Sequence, residues 1–377
     1  GDISVGNGST SNLSGSGTTY TATITPTADG QVTVNVAANA AQDIAGNINS
    51  AAIQFLVTND QTAPTVSIAG PAGPVSGAFT ASFTFSEVVS GFALGDISVG
   101  NGAASNLSGA GTTYTATITP ASDGLVTIDV AANVAQDVAG NNNTAATQFS
   151  VTNDSDRPTL TITGPAGPVA GAFTATFTFS ENVTGFVLED ITVGNGTASN
   201  LSGAGTTYTA TITPTADGQV TIDVAANIAL DAASNPNTAA TQFTVTNDSS
   251  PPTVTITGPT GPVAGAFTAT ITFSKTVTGF AIGDISVGNG SASNLSGSGT
   301  TYTATITPTT DGQVTVNVSA GAAQDAGGNA NTAAIQFAVT NDETAPTLSI
   351  SGPSGPVSGA FTASFTFSED VTGFTLG

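Results

Sequence analysis

Residues 79–85 read Phe-Thr-Ala-Ser-Phe-Thr-Phe, and this alternation of apolar and polar side chains decides the fold. A period of two places successive side chains on opposite faces of an extended chain, so one face is apolar and the other carries small hydroxyl groups. Similar alternation recurs in residues 114–119, 126–130 and 149–152, and no apolar stripe of useful length follows the helical period. The pattern predicts an all-β protein of half-buried strands.

The aromatic residues of this region are candidates for the core. Phenylalanine is enriched in protein interiors, and the residues that alternate with it here are small and polar. A tyrosine in this setting is expected to bury its ring and to place its hydroxyl on the backbone. We therefore expect a core containing Phe79, Phe83, Phe85, Phe92 and Phe149, with Tyr20, Tyr114, Tyr208 and Tyr302 in the corresponding place of each repeat.

The sequence repeats with a period of 94 residues. The segment Gly-Asp-Ile-Ser-Val-Gly-Asn-Gly begins at Gly1, Gly95 and Gly283, and a close variant begins at Glu189. Within each period, turns rich in Gly, Pro, Asn and Asp separate about seven short strands, which is the number that a two-sheet sandwich requires. The repeat therefore predicts a tandem array of β-sandwiches.

Module boundaries are expected in the polar, proline-containing stretch at residues 59–64 and its copies, because this composition is typical of linkers. Since the chain consists of four uninterrupted periods plus one residue, we expect it to be a window from a longer array. The predicted domains are the C-terminal part of a module (1–60), three complete modules (61–154, 155–248 and 249–342) and the N-terminal part of a further module (343–377).

The composition excludes several kinds of chemistry. The chain has no His or Cys, and its 2 basic and 25 acidic residues give a formal net charge of −23. Without His and Cys there is no Ser-His or Cys-His nucleophile pair, no imidazole or thiolate metal site and no disulfide. The negative charge also repels phosphate backbones and anionic lipids. We expect no enzyme activity, no nucleic-acid partner, no direct membrane insertion, and a cation as the charged partner.

Several motifs occur in the same order in the repeats. They are Phe85-Ser86-Glu87, Asp96-Ile97, the segment from Tyr114 to Pro120, Asp123-Gly124 and Asp137-Val-Ala-Gly-Asn141. In this order they resemble the bacterial immunoglobulin-like repeats of giant surface adhesins and extracellular matrix proteins. The resemblance covers the whole chain and implies tandem immunoglobulin-like sandwiches, arranged as a rod in an extracellular or cell-surface location. It also implies calcium at the module junctions, where the ion stiffens the rod.

The sandwich topology that the resemblance implies places particular acidic residues at each junction. The last strand ends at one pole and the next module begins at its opposite pole, so Asp123 and the linker residue Asp154 are expected to face Glu181, Asp231 and Asn235. Such oxygen donors suit Ca²⁺, which takes about six to eight oxygen ligands. The corresponding candidates at the other junctions are Asp29, Asp60, Glu87, Asp137, Asn141, Asp217, Asp248, Asp325 and Asn329.

A purely structural role for the same residues stays open. Asp and Asn form turns through hydrogen bonds to nearby backbone groups, and this alone accounts for Asp123-Gly124 and for the loop at residues 137–141. The third complete module also departs from the pattern, because Lys275 stands where Glu87 and Glu181 stand in the other modules. Glutamate at this position is then either dispensable, or the junction with the lysine is weaker.

The array is expected to work as an extender or stalk that holds a terminal domain away from a cell surface, or as the stalk of a biofilm matrix protein. Short linkers containing proline leave little slack between modules. The alternative is a subunit of an extracellular filament or sheath, built from identical chains by lateral packing or by strand exchange, since residues 1–60 and 343–377 hold complementary parts of one module. A glycan-, ice- or protein-binding module is disfavoured, because the loops are short, nearly identical and lack Trp.

Overall fold

The computed structural model describes residues 1–377 and consists of β-strands joined by turns, with three short 3-10 helices. The all-β prediction is confirmed. The chain divides into two compact units. The first unit contains Gly1–Thr159, Phe179–Phe186 and Ala226–Thr238, and the second contains Leu160–Thr178, Val187–Ala225 and Ala239–Gly377.

The strands follow the repeat. In chain order they are β1 (Ile3–Gly6), β2 (Gly8–Ser16), β3 (Thr19–Pro26), β4 (Gly30–Val36), β5 (Phe55–Asn59), β6 (Val66–Ala69), β7 (Phe79–Val89), β8 (Ile97–Gly100), β9 (Gly102–Pro120), β10 (Gly124–Val130), β11 (Phe149–Asn153), β12 (Leu160–Thr163), β13 (Phe173–Val183), β14 (Ile191–Gly194), β15 (Gly196–Pro214), β16 (Gly218–Val224), β17 (Phe243–Asn247), β18 (Val254–Thr257), β19 (Phe267–Val277), β20 (Ile285–Gly288), β21 (Gly290–Pro308), β22 (Gly312–Val318), β23 (Phe337–Asn341), β24 (Leu348–Ser351) and β25 (Ser364–Phe367). The 3-10 helices are Leu94–Asp96, Leu188–Asp190 and Ile282–Asp284.

The first unit contains a complete copy of the repeat, residues 61–154, which folds as two antiparallel sheets. Their strand orders are β6-β7-β9 and β8-β10-β11. In the first sheet Phe79 lies opposite Ile118, and Phe83 lies opposite Tyr114. Because paired strands present their apolar residues on the same face, this face forms one half of a sandwich core.

The side chains between these two sheets form a closed core. Phe83, Ile118 and Ile128 are fully buried. Phe92 packs edge-on against the ring of Tyr114 with centroids 5.1 Å apart, and the Tyr114 hydroxyl donates to the carbonyl of Val89 at 3.3 Å. The expected role of this tyrosine is therefore confirmed.

Phe149 differs from the other predicted core aromatics, since it is only partly buried. It begins β11 at the margin of the core, and its ring covers the backbone of Gly70. A Cβ atom at residue 70 would lie 2.7 Å from Cζ of Phe149, so the ring can occupy this place only over a glycine.

The strand β9 folds back on itself as a hairpin, although its residues form one uninterrupted stretch of strand. The hydroxyl of Ser105 donates to the carbonyl of Thr117 at 3.4 Å, so the two halves of β9 lie side by side. In the first copy the same residues are two strands, β2 and β3, which pair from Gly8 with Pro26 to Ser16 with Thr19. Counted in this way, a complete copy has the seven strands that the sequence predicts.

The second unit contains the last complete copy, residues 249–342, with sheets β18-β19-β21 and β20-β22-β23. Its core repeats the first almost position by position, and Ile271 takes the fully buried place of Phe83. The Tyr302 hydroxyl again donates to a carbonyl, that of Val277, at 3.4 Å.

The first copy, residues 1–60, consists of sheets β1-β4-β5 and β2-β3. No strand corresponding to β7 lies beside β3, and Tyr20 is 62% exposed whereas Tyr114 is 8% exposed. The expectation of a buried tyrosine therefore fails for Tyr20, because no strand covers its ring in the β2-β3 sheet.

Candidate metal centres

The turn between β9 and β10 fixes the start of the linker that follows β11. One carboxylate oxygen of Asp123 accepts hydrogen bonds from Asn153 Nδ2 at 2.9 Å, from the backbone N–H of Ser155 at 2.8 Å and from the Ser155 hydroxyl at 2.7 Å. Asp29, Asp217 and Asp311 bind the corresponding linker residues in the other copies. The aspartate of this turn therefore ties the linker to the preceding copy.

Asp217 has the strongest set of these contacts. Its carboxylate accepts from the backbone N–H of Ser249 at 2.7 Å and from the hydroxyls of Ser249 and Ser250 at 2.6 and 2.5 Å. Hydrogen bonds favour the charged form of a carboxylate. Those from Ser249 and Ser250 lower the pKa of Asp217 to about 2, with a smaller contribution from the positive charge of Lys275.

In the linker that follows β11, a loop of the following copy holds Asp154, the residue directly before Ser155. Asp231 accepts from the backbone N–H of Asn235 at 2.8 Å and from its Nδ2 at 2.9 Å, and Asn235 Nδ2 also donates to the carbonyl of Asp154 at 2.8 Å. Asn141 and Asn329 make the same contact with the linker carbonyls of Asp60 and Asp248. These asparagines use the amide nitrogen here, and their role as metal ligands stays a prediction.

Two groups of three carboxylates form beside these loops. One oxygen each from Asp60, Glu87 and Asp137 lies within 4.8 Å of the others, and Asp154, Glu181 and Asp231 form an equivalent group. We call them the Glu87 cluster and the Glu181 cluster, after their glutamates. Both lie within the first unit, and Asp137 and Asp231 are each only 7% exposed.

The crowding of negative charge is reflected in the acidity of the two glutamates. Burial and the nearby charges of Asp60 and Asp137 raise the pKa of Glu87 above its ordinary value. Burial, Asp154 and Asp231 raise the pKa of Glu181 in the same way. For Asp137 burial acts in the same direction, but hydrogen bonds from the residues of its own loop outweigh it and the pKa is lowered.

In the last complete copy Lys275 replaces the glutamate. Repulsion between like charges is therefore replaced by attraction between opposite charges. The ammonium nitrogen lies 2.6 Å from Asp248 Oδ1 and 3.2 Å from Asp325 Oδ2, and it also donates to the carbonyl of Ser250. The side chain of Asp325 is only 3% exposed, so this ion pair is partly shielded from water. Hydrogen bonding to Asp248 is the largest effect on Lys275 and raises its pKa.

Most of the predicted acidic residues are brought together, but not in the predicted combination. The structure joins the linker aspartates 60, 154 and 248 to residue 87, 181 or 275 and to loop aspartate 137, 231 or 325. Asp29, Asp123 and Asp217 lie outside these groups, because their oxygens are taken by linker N–H and hydroxyl groups. The sequence signal that would have placed them is the Ser or Thr found one or two residues after each linker aspartate.

The other basic residue does not neutralise a cluster. Arg157 donates to the carbonyls of Pro236 and Asn237 at 2.7 and 3.0 Å and to Asn227 Oδ1 at 2.6 Å. Sequence reasoning gave this arginine no role, and the structure uses it to tie the linker to two loops of the following copy.

The two carboxylate clusters fit a hard divalent cation. They offer only oxygen donors, which Ca²⁺ binds at about 2.3–2.6 Å. Three carboxylates without a counter-ion repel one another, and this repulsion adds to burial in raising the pKa values of Glu87 and Glu181. At the equivalent place in the last complete copy, the corresponding aspartates, Asp248 and Asp325, contact the ammonium group of Lys275.

No helix of this structure has the length and apolar character needed to cross a membrane. No curated protein matches the chain.

Among solved structures, the chain is similar to the Escherichia coli adhesin FdeC, with 17% identity over 75% of this chain and 98% of that chain and a TM-score of 0.38. It is also similar to invasin, described as a bacterial integrin-binding protein, with 18% identity, 77% and 62% coverage and a TM-score of 0.34. These scores are too low for either neighbour to assign a function to this chain.

A family model described as the bacterial Ig-like domain matches the chain four times, at residues 1–57, 60–152, 154–246 and 248–340. These matches account for nearly all of residues 1–340 and follow the 94-residue repeat. They confirm the resemblance drawn from the sequence motifs, and the chain belongs to the family of bacterial Ig-like domains.

Proposed function

We propose that this array is a non-catalytic spacer in the extracellular part of a bacterial surface or secreted protein of the adhesin type. The observation that carries the proposal is that complete copies of the repeat close their own apolar core and are joined by linkers without insertions. A chain of this kind gains length with each copy and needs no partner to fold. Its work is to set the distance between what lies at its two ends.

The linkers support a spacer with limited bending. Asp123 holds Ser155 to the copy before the linker, and Asn235 holds the Asp154 carbonyl to the copy after it. Two anchors on so short a segment restrict its backbone dihedrals, which is what a semi-rigid connection requires. The same pair of contacts recurs at Asp217 and Asn329 in the second unit.

We further propose that Ca²⁺ binds at the Glu87 and Glu181 clusters and stiffens the linkers there. The ion would be held by Asp60, Glu87 and Asp137 in one cluster and by Asp154, Glu181 and Asp231 in the other. When bound, it supplies positive charge that converts repulsion between linker and loop carboxylates into attraction. The protein residues themselves fix the linker carbonyl and hold the loop aspartate nearly buried.

Calcium dependence is tested on the whole 377-residue chain. We expect CaCl₂, compared with EDTA, to raise the unfolding temperature in calorimetry and to increase the maximum dimension in small-angle X-ray scattering. Glu181→Gln removes a repelling charge, so it should raise the unfolding temperature in EDTA and reduce the gain on adding calcium. Glu189→Gln, at an exposed residue outside both clusters, is the matched control. Identical melting and scattering curves with and without calcium would exclude the cation sites.

The spacer role has a separate test. Stretching single molecules should give one force peak for each complete copy, with equal increments of contour length, because each copy unfolds by itself. A single cooperative rupture of the whole chain would contradict it.

The rival proposal is a filament of identical chains, and exposed apolar residues such as Tyr20 and Phe365 favour it. It requires end-to-end assembly in solution. Light scattering after size-exclusion chromatography distinguishes the two, since a spacer stays monomeric at concentrations where a filament subunit polymerises.

A further inference from the structure

Residues 87, 181 and 275 occupy one structural position. Each is the ninth residue of an 11-residue strand, β7, β13 or β19 respectively. In each case the side chain meets one aspartate from the linker and one from the loop of the following copy. The chemistry of this single residue is therefore the main difference between the three sites.

The ammonium group of Lys275 has the surroundings of a bound cation. Carboxylate oxygens of Asp248 and Asp325 and the carbonyl oxygen of Ser250 lie around its nitrogen. Asp248 corresponds to Asp60 and Asp154, and Asp325 corresponds to Asp137 and Asp231.

The charges of the three sites agree with this comparison. Each carboxylate cluster has a formal charge of −3, and one divalent cation would bring it to −1. Two aspartates with the ammonium group of Lys275 also give −1. Replacing glutamate by lysine changes the charge of the site by the same amount as binding one divalent cation.

We propose that the ammonium group of Lys275 substitutes for a divalent cation, and that this strand position determines whether a linker depends on calcium. This inference rests on the proposed function for the two carboxylate clusters, but its first consequence needs no metal. Residue 275 attracts the linker before the last complete copy in calcium-free medium, whereas the carboxylates of the Glu87 and Glu181 clusters add such an attraction to their linkers only when calcium is present. An array of this composition stiffens in part, and not as a whole, when calcium rises.

The metal-free arm of the test uses calorimetry in EDTA on the 377-residue chain. Lys275→Gln leaves the nearly buried Asp325 without its counter-ion. We expect the unfolding temperature of the last complete copy to fall by about 5 °C. Glu181→Lys transfers the ammonium group to the Glu181 cluster and should raise the unfolding temperature. Glu189→Lys makes the same change in net charge as Glu181→Lys at an exposed residue, and should neither raise nor lower the unfolding temperature. If Lys275→Gln leaves melting unchanged, or Glu181→Lys fails to raise it, the inference is wrong whether or not the chain binds calcium.

The second arm counts calcium ions by isothermal titration with CaCl₂. We expect two for the unmodified chain, one for Glu181→Lys and three for Lys275→Glu. If the unmodified chain binds no calcium while the EDTA results are as expected, the calcium sites of the proposed function are wrong and the bridging role of the ammonium group stands. If the unmodified chain binds two ions and Lys275→Glu also binds two, the strand position does not determine calcium dependence and the inference is overturned.

Discussion

At the scale of single residues, the acidic side chains of this protein divide into two kinds. Asp29, Asp123 and Asp217 have their oxygens satisfied by N–H and hydroxyl donors of the linker. Glu87 and Glu181 instead face other carboxylates, and their pKa values are raised. Carboxylates of the first kind stabilise the linker without any ligand. Those of the second kind repel one another unless a positive charge lies between them.

Asp217 gives the first kind a testable pH dependence. Its pKa in the folded protein is about 2, against an ordinary value of 3.8. Because the folded value is the lower one, the stability it contributes is present above about pH 4 and is lost as the pH falls from about 4 to 2. We expect Asp217→Asn to flatten the fall in unfolding temperature across this range, measured by calorimetry at a series of pH values.

The control for this change is Asp223→Asn. Asp223 is a half-buried residue of β16, and this change removes the same charge from a carboxylate that accepts hydrogen bonds from the side chain of Gln242. A fall in unfolding temperature between pH 4 and 2 that is as steep in Asp217→Asn as in the unmodified chain would contradict the assignment.

The candidate site could be read from the sequence only in part. The sandwich topology implied by the resemblance placed Asp60, Glu87 and Asp137 at one junction, and the 94-residue repeat gave the equivalent residues of the other junctions. The sequence could not separate Asp29 from this group, since that depends on the linker N–H that its carboxylate accepts. Lys275 was taken to mean either that glutamate is dispensable at this position or that the junction is weaker, and its ion pairs with Asp248 and Asp325 emerge only in three dimensions.

At the scale of strands and loops, the alternation in residues 79–85 was sufficient to predict the core. A strand exposes alternate residues to one face, so local sequence determines which side chains are buried once a second sheet covers that face. Phe149 was expected in the core and packs against its margin, because its place depends on Gly70, which is distant in the sequence. Tyr20 was misjudged because burial also requires a neighbouring strand.

The contact between Gly70 and Phe149 predicts an effect of a single methyl group. Gly70→Ala places a Cβ 2.7 Å from the Phe149 ring, which must move or distort the loop after β6. Overpacking of this kind costs about 1–3 kcal/mol of stability. We therefore expect the midpoint of urea denaturation of this copy to shift to a lower urea concentration. Gly73→Ala, where nothing lies within 4 Å of the added Cβ, should leave the midpoint almost unchanged. Equal midpoints for the two variants would show that the ring is free to move aside.

At the scale of the whole molecule, stability is distributed among separate cores. The core of the copy at residues 61–154 lies in the first unit, that of the copy at 249–342 lies in the second, and the two have no residue in common. Damage to one core should therefore stay local, as expected for arrays whose stability is a sum over repeats.

Phe83→Ala tests this independence. Phe83 is fully buried, and its truncation is expected to cost about 3–5 kcal/mol, a large fraction of the stability of one domain. We expect one force peak of the stretched chain to weaken or disappear while the others keep their height. Leu125→Ala, in the same copy but at a side chain that is 60% exposed, is the control. Loss of several peaks at once would mean that the copies unfold together.

The contacts of the two basic residues also bear on resistance to proteolysis. Proteases of the trypsin type select lysine or arginine, so among 377 residues they find only two candidate bonds. Arg157 is followed by proline, whose ring disfavours cleavage, and its guanidinium group is engaged by three acceptors. Lys275 lies within β19 with its ammonium group on two carboxylates. We therefore expect the folded array to resist trypsin-type proteases, because both of its basic side chains are engaged in contacts within the fold.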